Sequence, residues 1–166
     1  FIDAKVDIVQ SSMLVGDTAK NLDTRVPALL LGRLIKLTDK PLSVAVGNSG
    51  PALTGLFGMS PTFEAFSIGG YTPRETWLAN TGILPSDEIA LAPYSAWGPT
   101  SDGSLKPDFL ALTQTLCERI TSAPTPFEKP FGFYTVSRGT SASGPHAAGH
   151  IALLISAAKQ QKIKFD

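Results

Sequence analysis

Ser141 lies in the stretch whose residue types point most directly to chemistry, residues 139–150, which read Gly-Thr-Ser-Ala-Ser-Gly-Pro-His-Ala-Ala-Gly-His. Strong helix formers with a nearly all-round apolar surface follow it, which predicts a helix beginning close to this serine. A hydroxyl there would face the positive end of the helix dipole, and nearby backbone N–H groups could hold a developing oxyanion. Pro145 is expected in the first helical turn, where its missing N–H costs little. The stretch predicts a nucleophilic serine at a helix N-terminus; the alternative is a helix-capping serine.

The elements that must position this serine are predicted from hydrophobic periodicity and turn residues. An apolar, β-branched run predicts a buried strand over residues 1–9, and leucines at helical spacing predict a helix over 21–37 capped by Asn21. Further strands are predicted at 42–46 and 63–68, and a strand or hairpin at 131–136. Long surface loops with short strands are predicted at 71–108, and a loop at 120–130. This order favours an α/β fold with a parallel sheet, whose ligands bind at the carboxyl ends of the strands.

Residues 139–149 resemble the nucleophile segment of the subtilisin-like serine proteases (subtilases, peptidase family S8), written G-T-S-x-[AS]-x-P-H-x-[AS]-G. Residues 43–51, Ser-Val-Ala-Val-Gly-Asn-Ser-Gly-Pro, resemble the family's strand and oxyanion-asparagine turn. Residues 94–108 resemble its F-S-S-x-G-P-t-x-D-G-x-x-K-P-D stretch, and 7–13 and 60–70 are weaker matches. The resemblance implies a three-layer α/β fold, with a mostly parallel central sheet flanked by helices. It also implies that residues 1–166 are the C-terminal portion of a single subtilisin-like peptidase domain.

The resemblance implies a role for each matching residue. Ser141 would attack a peptide carbonyl and form an acyl-enzyme. The side chain of Asn48 would stabilise the oxyanion together with the Ser141 backbone N–H; the alternative for Asn48 is a plain turn residue, since Asn-Ser-Gly-Pro is strong turn chemistry. Leu14 stands where the family has a pocket-lining glycine and would narrow the substrate pocket. The resemblance also implies two groups of substrate-binding residues. An edge on which substrate adds as a β-strand is formed by Ser11, Ser12 and Met13, and the pocket is lined by Leu14, Val46 and Gly47.

The family's catalytic Asp and His have no counterpart among the residues before Asn48, because no D-[ST]-G or H-G-T turn occurs there. The only two histidines, His146 and His150, follow the serine. Their spacing of four fits a metal site, but no intervening Glu and no third ligand accompany them, and the resemblance implies a structural role for His146. It likewise implies structural loop roles for Asp102 and Asp108. We therefore expect a partner, an N-terminal fragment of the same domain that carries the Asp and His, and a protein or peptide substrate.

Two other functions are considered beside a serine endopeptidase. A catalytically inactive pseudoprotease or binding scaffold is supported by Leu14 and by residues 110–114, which replace the family's A-P-G; the presence of both Ser141 and Asn48 argues against it. The second is an unrelated α/β hydrolase or esterase. Its nucleophile turn requires the pattern G-x-S-x-G, and this chain has Ser143 where the last glycine should be, which argues against that function.

Composition limits the remaining possibilities. Hydrophobic residues make up 43% of the chain and charged residues 17%, as in a globular protein. Lys+Arg and Asp+Glu both number 14, so no net charge favours nucleic acid or an anionic membrane, and no apolar run is long enough to span one. We expect no cofactor and no metal site; calcium is implied by the resemblance alone, without assigned ligands. The single cysteine, Cys117, excludes an internal disulfide. The resemblance favours a secreted or extracytoplasmic location.

Overall fold

The computed structural model describes residues 5–13, 25–51, 56, 58–100, 102–118 and 134–163. Within them, seven strands and three helices follow one another along the chain. Their order is β1 (Val9–Ser11), α1 (Arg25–Thr38), β2 (Leu42–Ala45), β3 (Phe66–Pro73), α2 (Arg74–Thr81), β4 (Ile89–Leu91), β5 (Phe109–Leu112), β6 (Thr115–Glu118), β7 (Tyr134–Ser137) and α3 (Thr140–Gln161).

The main sheet is mostly parallel. β1 pairs with β2, β2 with β3 and β3 with β5, all parallel, while the short β4 pairs antiparallel with the end of β3. Tyr71 has a partner on each side, Leu91 in β4 and Leu112 in β5. β4 therefore lies on the same side of β3 as β2, farther along the strand. A separate antiparallel ribbon of β6 and β7 leads into α3.

Helices cover both faces of this sheet. Leu42 and Val44 pack with Ile35 of α1 in a buried apolar cluster. Ser43 points to the opposite face, as alternation along a strand requires, and its hydroxyl donates to Gly144 O of α3 at 3.1 Å. α1 and α3 consequently lie on opposite sides of β2. The predicted α/β architecture, a mostly parallel sheet between helices, is confirmed.

The first strand was predicted too early in the sequence. Residues 5–8 are not in a strand, residues 1–4 lie outside the described part, and pairing begins at Val9, which is opposite Leu42. The start of β1 thus coincides with the start of β2, its partner among the described residues. The helix predicted over 21–37 is present as α1, with Asn21 outside the described residues.

The strand predicted at 63–68 instead runs from Phe66 to Pro73. Gly69 and Gly70, which follow the predicted end of the strand, lie within the sheet where neighbours come very close. A Cβ on Gly69 would lie 2.7 Å from Leu110 Cδ2, and one on Gly70 would lie 3.0 Å from Thr113 Cβ. These glycines allow close packing rather than a turn.

The region predicted as loops over 71–108 contains an unpredicted helix, α2, immediately after β3. Pro73 precedes its first residue, and Gly82, in the left-handed conformation (φ 72°), ends it by donating to Leu78 O. None of its residues is buried, so it lacks the apolar stripe by which helices are recognised in a sequence. The predicted loop at 120–130 lies outside the described residues, and the strand predicted at 131–136 is present as β7 from Tyr134.

Candidate active site

Ser141 is the second residue of α3 and is exposed. Gly139, with φ 103°, occupies the N-cap position, so Ser141 is not the cap of this helix. Neither its hydroxyl nor its backbone N–H has a hydrogen-bond partner among the residues that the structure describes. Ser143, two residues later, is fully buried, and its hydroxyl has no hydrogen-bond partner in the described part of the chain. Of the two serines in this stretch, only Ser141 presents its hydroxyl at the surface.

Thr140 connects the start of α3 to the turn that follows β2. Its side chain is fully buried. The Thr140 hydroxyl accepts the Gly47 N–H at 3.1 Å and donates to Asn48 Oδ1 at 3.0 Å, and the Thr140 backbone N–H donates to the same oxygen at 2.9 Å. Thr140 was not singled out from the sequence, although a hydroxyl residue directly before the predicted nucleophile was a usable signal.

The orientation of the Asn48 carboxamide follows from these contacts. A backbone N–H can only donate, so the atom facing the Thr140 N–H must be the Asn48 oxygen. The Nδ2 group is therefore directed elsewhere, and it is the atom nearest to a Cβ built on Gly139, at 3.0 Å. The turn containing Asn48 thus lies against the start of α3, with Asn48 Nδ2 beside Gly139 and the Ser141 N–H two residues farther along the chain. Donors of this kind can stabilise negative charge on an oxygen that is bound beside the serine.

Pro145 is the sixth residue of α3, in its second turn rather than in the predicted first turn. Proline has no N–H, so it cannot donate to the carbonyl four residues earlier, which is that of Ser141. The Ser12 hydroxyl donates to Ser141 O at 3.1 Å, and Gln10 Nε2 donates to the Ser12 hydroxyl at 2.6 Å. A side chain just beyond β1 thus supplies the hydrogen bond that the helix lacks.

The other predicted substrate-binding residues fall into three groups. Ser11 ends β1 and accepts the Met13 N–H at 3.3 Å, and Met13 is 71% exposed, so this segment lies at the surface near α3. The Val46 side chain is fully buried against Leu56 and Ala96, so only its backbone can contribute to a pocket wall. Gly47 is buried beside Thr140. Leu14 lies outside the described residues.

Both histidines are occupied away from Ser141. His146 Nδ1 is 3.0 Å from Leu112 O, and its Nε2 is 3.4 Å from the Thr115 hydroxyl. His150 Nδ1 is 2.8 Å from His146 O, one helical turn back. The described residues contain no group of three or more His, Cys, Asp or Glu side chains that could hold a metal ion.

Asp102 and Asp108 hold loops together. Asp102 accepts hydrogen bonds from the Thr100 hydroxyl and, at 3.2 Å, from the Ser104 N–H; these bonds hold the pKa of Asp102 below its ordinary value. Asp108 Oδ2 accepts the Ser67 N–H at 2.7 Å and lies 2.7 Å from the nearly buried ammonium of Lys106.

Two further features bear on what this chain can bind. An apolar groove of about 550 Å³ lies between β5 and α3, lined by Phe109, Leu112, His146 and Leu154 among others, and it includes neither Ser141 nor Asn48. In the part of the chain that the structure describes, no helix combines the length and apolar character needed to cross a membrane.

Solved structures with the same fold include the prenylagaramide maturation protease PagA, with a TM-score of 0.62 and 21% identity, of which this chain covers 48%. The self-cleaved protease domain of PatA matches with a TM-score of 0.61 and 20% identity, and this chain covers 50% of it. Each match extends over 98% of this chain. At such identities the likeness shows the fold alone.

Similar sequences include tripeptidyl-peptidase 2 of Arabidopsis thaliana, 33% identical over 159 residues and 86% of this chain, and that of Caenorhabditis elegans, 29% identical over 134 residues and 80%. The chain spans only 11% and 9% of the lengths of these relatives. The family model described as "Subtilase family" matches residues 19–164. With most of its length matched in this way, the chain belongs to the subtilase family.

Proposed function

We propose that this chain is the nucleophile-bearing portion of a serine endopeptidase. The observation that carries the proposal is the contact between the turn of Asn48 and the start of α3, where Asn48 Nδ2 lies beside Gly139. Two residues farther on, Ser141 is exposed, and its backbone N–H has no partner among the described residues. These are the nucleophile and the two donors that acyl transfer to a serine requires.

In the proposed reaction, Ser141 Oγ attacks the peptide carbonyl carbon while a histidine accepts the hydroxyl proton. The carbonyl oxygen becomes an oxyanion held by the Ser141 N–H and Asn48 Nδ2. The histidine then protonates the leaving amine, and water hydrolyses the acyl-enzyme by the same steps in reverse. The chemistry uses side chains and backbone groups, without a cofactor.

The histidine and the aspartate that orients it come, in this proposal, from an N-terminal segment of the same peptidase domain. Both histidines of this chain are engaged elsewhere. Within the described residues, β1 pairs with β2 along one side only, so its other side offers unpaired backbone groups for another strand. A strand of that segment added along Val9 and Gln10 would leave residues 11–13 to the substrate and would end close to Ser12, whose hydroxyl donates to Ser141 O.

A protein or peptide substrate would extend along Ser11–Met13. The side chain of the substrate residue that precedes the cleaved bond would lie in a pocket formed by Leu14, the Val46 backbone and Gly47. Backbone hydrogen bonds from an added strand give affinity without side-chain selectivity. The surface position of the segment that ends at Met13 supports this placement.

The test compares two serines of the same stretch. In the peptidase assembled from this chain and the segment bearing Asp and His, Ser141→Ala should abolish hydrolysis and labelling by a fluorophosphonate probe. The control, Ser143→Ala, removes only a buried hydroxyl without a described partner, so activity and labelling should persist. An assembled wild-type protein that neither hydrolyses peptides nor reacts with the probe would instead identify a pseudoprotease or binding scaffold.

A second mode of cleavage is the release of tripeptides, the activity named in both relatives. Internal cleavage tolerates a blocked amino terminus, whereas removal of a terminal tripeptide depends on a free one. We expect acetylated and free forms of one fluorogenic peptide to be cleaved at similar kcat/KM. A strong preference for the free form, with a tripeptide as the product, would replace the endopeptidase assignment.

A further inference from the structure

Tyr94 joins three segments that meet beside Ser141. Its backbone carbonyl accepts the Gly50 N–H at 3.0 Å, from the turn that carries Asn48. Its side-chain hydroxyl accepts the Gly139 N–H at 3.2 Å and is hydrogen-bonded to the hydroxyl of Thr113, just after β5. One half-buried residue therefore contacts the oxyanion turn, the start of the nucleophile helix and the sheet.

The donors in this network can be assigned. The Gly139 N–H can only donate, so Tyr94 Oη is its acceptor. A phenol is the stronger proton donor of two hydroxyls, so we assign the Tyr94 proton to Thr113 Oγ1. Thr113 is fully buried and its own N–H donates to Tyr71 O at 3.0 Å, which fixes it to β3.

The three consecutive N–H groups at the start of α3 are used differently. That of Gly139 goes to Tyr94 Oη, that of Thr140 goes to Asn48 Oδ1 at 2.9 Å, and that of Ser141 has no partner among the described residues. Gly139 has φ 103°, a conformation open to glycine because it has no side chain, so its backbone direction depends on the hydrogen bonds on either side of it. Tyr94 and Asn48 therefore fix the two peptide planes that precede the free N–H.

We propose that the Tyr94 hydroxyl is a positioning group for catalysis. By holding the Gly139 N–H, it sets the direction of the Ser141 N–H and keeps it convergent with Asn48 Nδ2. This inference rests on the proposed function, because it concerns where an oxyanion binds. Tyr94 acts through the Gly139 backbone and does not itself contact the reacting atoms.

The test is Tyr94→Phe in the assembled peptidase, with Tyr134→Phe as a matched control on the exposed side of β7. Loss of one hydrogen bond that acts in the transition state should lower kcat about 5- to 10-fold and leave KM unchanged. Amide hydrogen exchange at Gly139 should become faster by a similar factor. Tyr134→Phe should change neither value.

Two further variants examine the Thr113 contact. Thr113→Val removes the acceptor of the Tyr94 proton and should lower kcat, while Thr113→Ser keeps the hydroxyl and should restore it. When Thr113→Val is added to Tyr94→Phe, kcat should fall little further, because both changes break the same hydrogen-bonded connection.

The outcomes separate the two proposals. If wild-type hydrolysis depends on Ser141 and Tyr94→Phe keeps the wild-type kcat, the positioning role is wrong, whether or not exchange at Gly139 changes. A fall in kcat accompanied by an equal fall in KM would also overturn it. If the assembled wild-type enzyme is inert, the proposed function fails, and the positioning role fails with it.

Discussion

At the scale of single residues, Asn48 uses the two ends of its carboxamide for different contacts. The oxygen accepts both the N–H and the hydroxyl of Thr140, and this anchors the turn after β2 to α3. The nitrogen is left to face the space beside Gly139. Substitutions that remove one end and keep the other can therefore separate stability from chemistry.

Asn48→Asp keeps an oxygen acceptor for Thr140 and removes both N–H donors. We expect kcat in the assembled peptidase to fall by about 10²–10³-fold or more, with the thermal midpoint nearly unchanged. Steady-state kinetics and calorimetry measure the two effects. Asn48→Ala, which loses both ends, should lower kcat and also destabilise the protein by about 1 kcal/mol or more. An Asn48→Asp protein with the wild-type kcat would remove Asn48 from the oxyanion site.

At the scale of elements, α3 carries a proline where an uninterrupted helix would have a hydrogen bond. The carbonyl left without a helical donor belongs to Ser141, and the Ser12 hydroxyl donates to it from the end of β1. The defect in the helix thus becomes a contact between the nucleophile segment and the first strand. Gln10, bonded to the same hydroxyl, holds Ser12 in place.

This link between Ser12 and Pro145 predicts a specific non-additivity. Ser12→Ala should lower the free energy of unfolding by about 1 kcal/mol in the wild-type background. In Pro145→Ala the new N–H can reach Ser141 O, so the same Ser12→Ala change should cost close to nothing. Urea unfolding of the four proteins measures the coupling. Equal costs in the two backgrounds would show that Ser12 does not replace the missing helical bond.

At the scale of the whole molecule, the sheet and α3 approach closely because small residues line their contact. A Cβ on Gly70 of β3 would lie 3.2 Å from Ser143 Oγ of α3 and 3.0 Å from Thr113 Cβ. Gly144 of α3 faces Ala45 of β2 in the same layer. This close packing fixes the distance between α3 and the sheet, and with it the position of the start of α3 relative to the turn that carries Asn48.

Gly70→Ala should therefore destabilise the protein by about 1–3 kcal/mol, since the added methyl group would displace Thr113 and Ser143, which are fully buried and cannot shift without disturbing their own packing. The matched control is Gly149→Ala on the exposed side of α3, where a Cβ meets nothing within 4 Å. That change should stabilise the protein by up to about 1 kcal/mol through helix propensity. Equilibrium unfolding compares them, and a Gly70→Ala protein as stable as Gly149→Ala would contradict the packing argument.

Local patterns were sufficient where a single element decides its own structure. The apolar run 42–46 predicted β2, the leucine spacing predicted α1, and the helix formers after Ser141 predicted α3, because these signals depend only on nearby residues. The amphipathic signal failed for α2, which buries no residue. For β3 the pattern predicted a strand over 63–68 and missed its continuation to Pro73, because Gly69 and Gly70 reflect the closeness of β5 and α3.

The sequence by itself determined the family resemblance and the pairing of Ser141 with Asn48 as candidates, since these depend on residue types in fixed order. Tertiary structure alone decided which serine is exposed, which end of the Asn48 carboxamide is free, and that Ser12 and Tyr94 hold the backbone around Ser141. Such contacts join residues 45 to 129 positions apart. Their distances depend on how β1, β2 and α3 pack, and no local pattern carries that information.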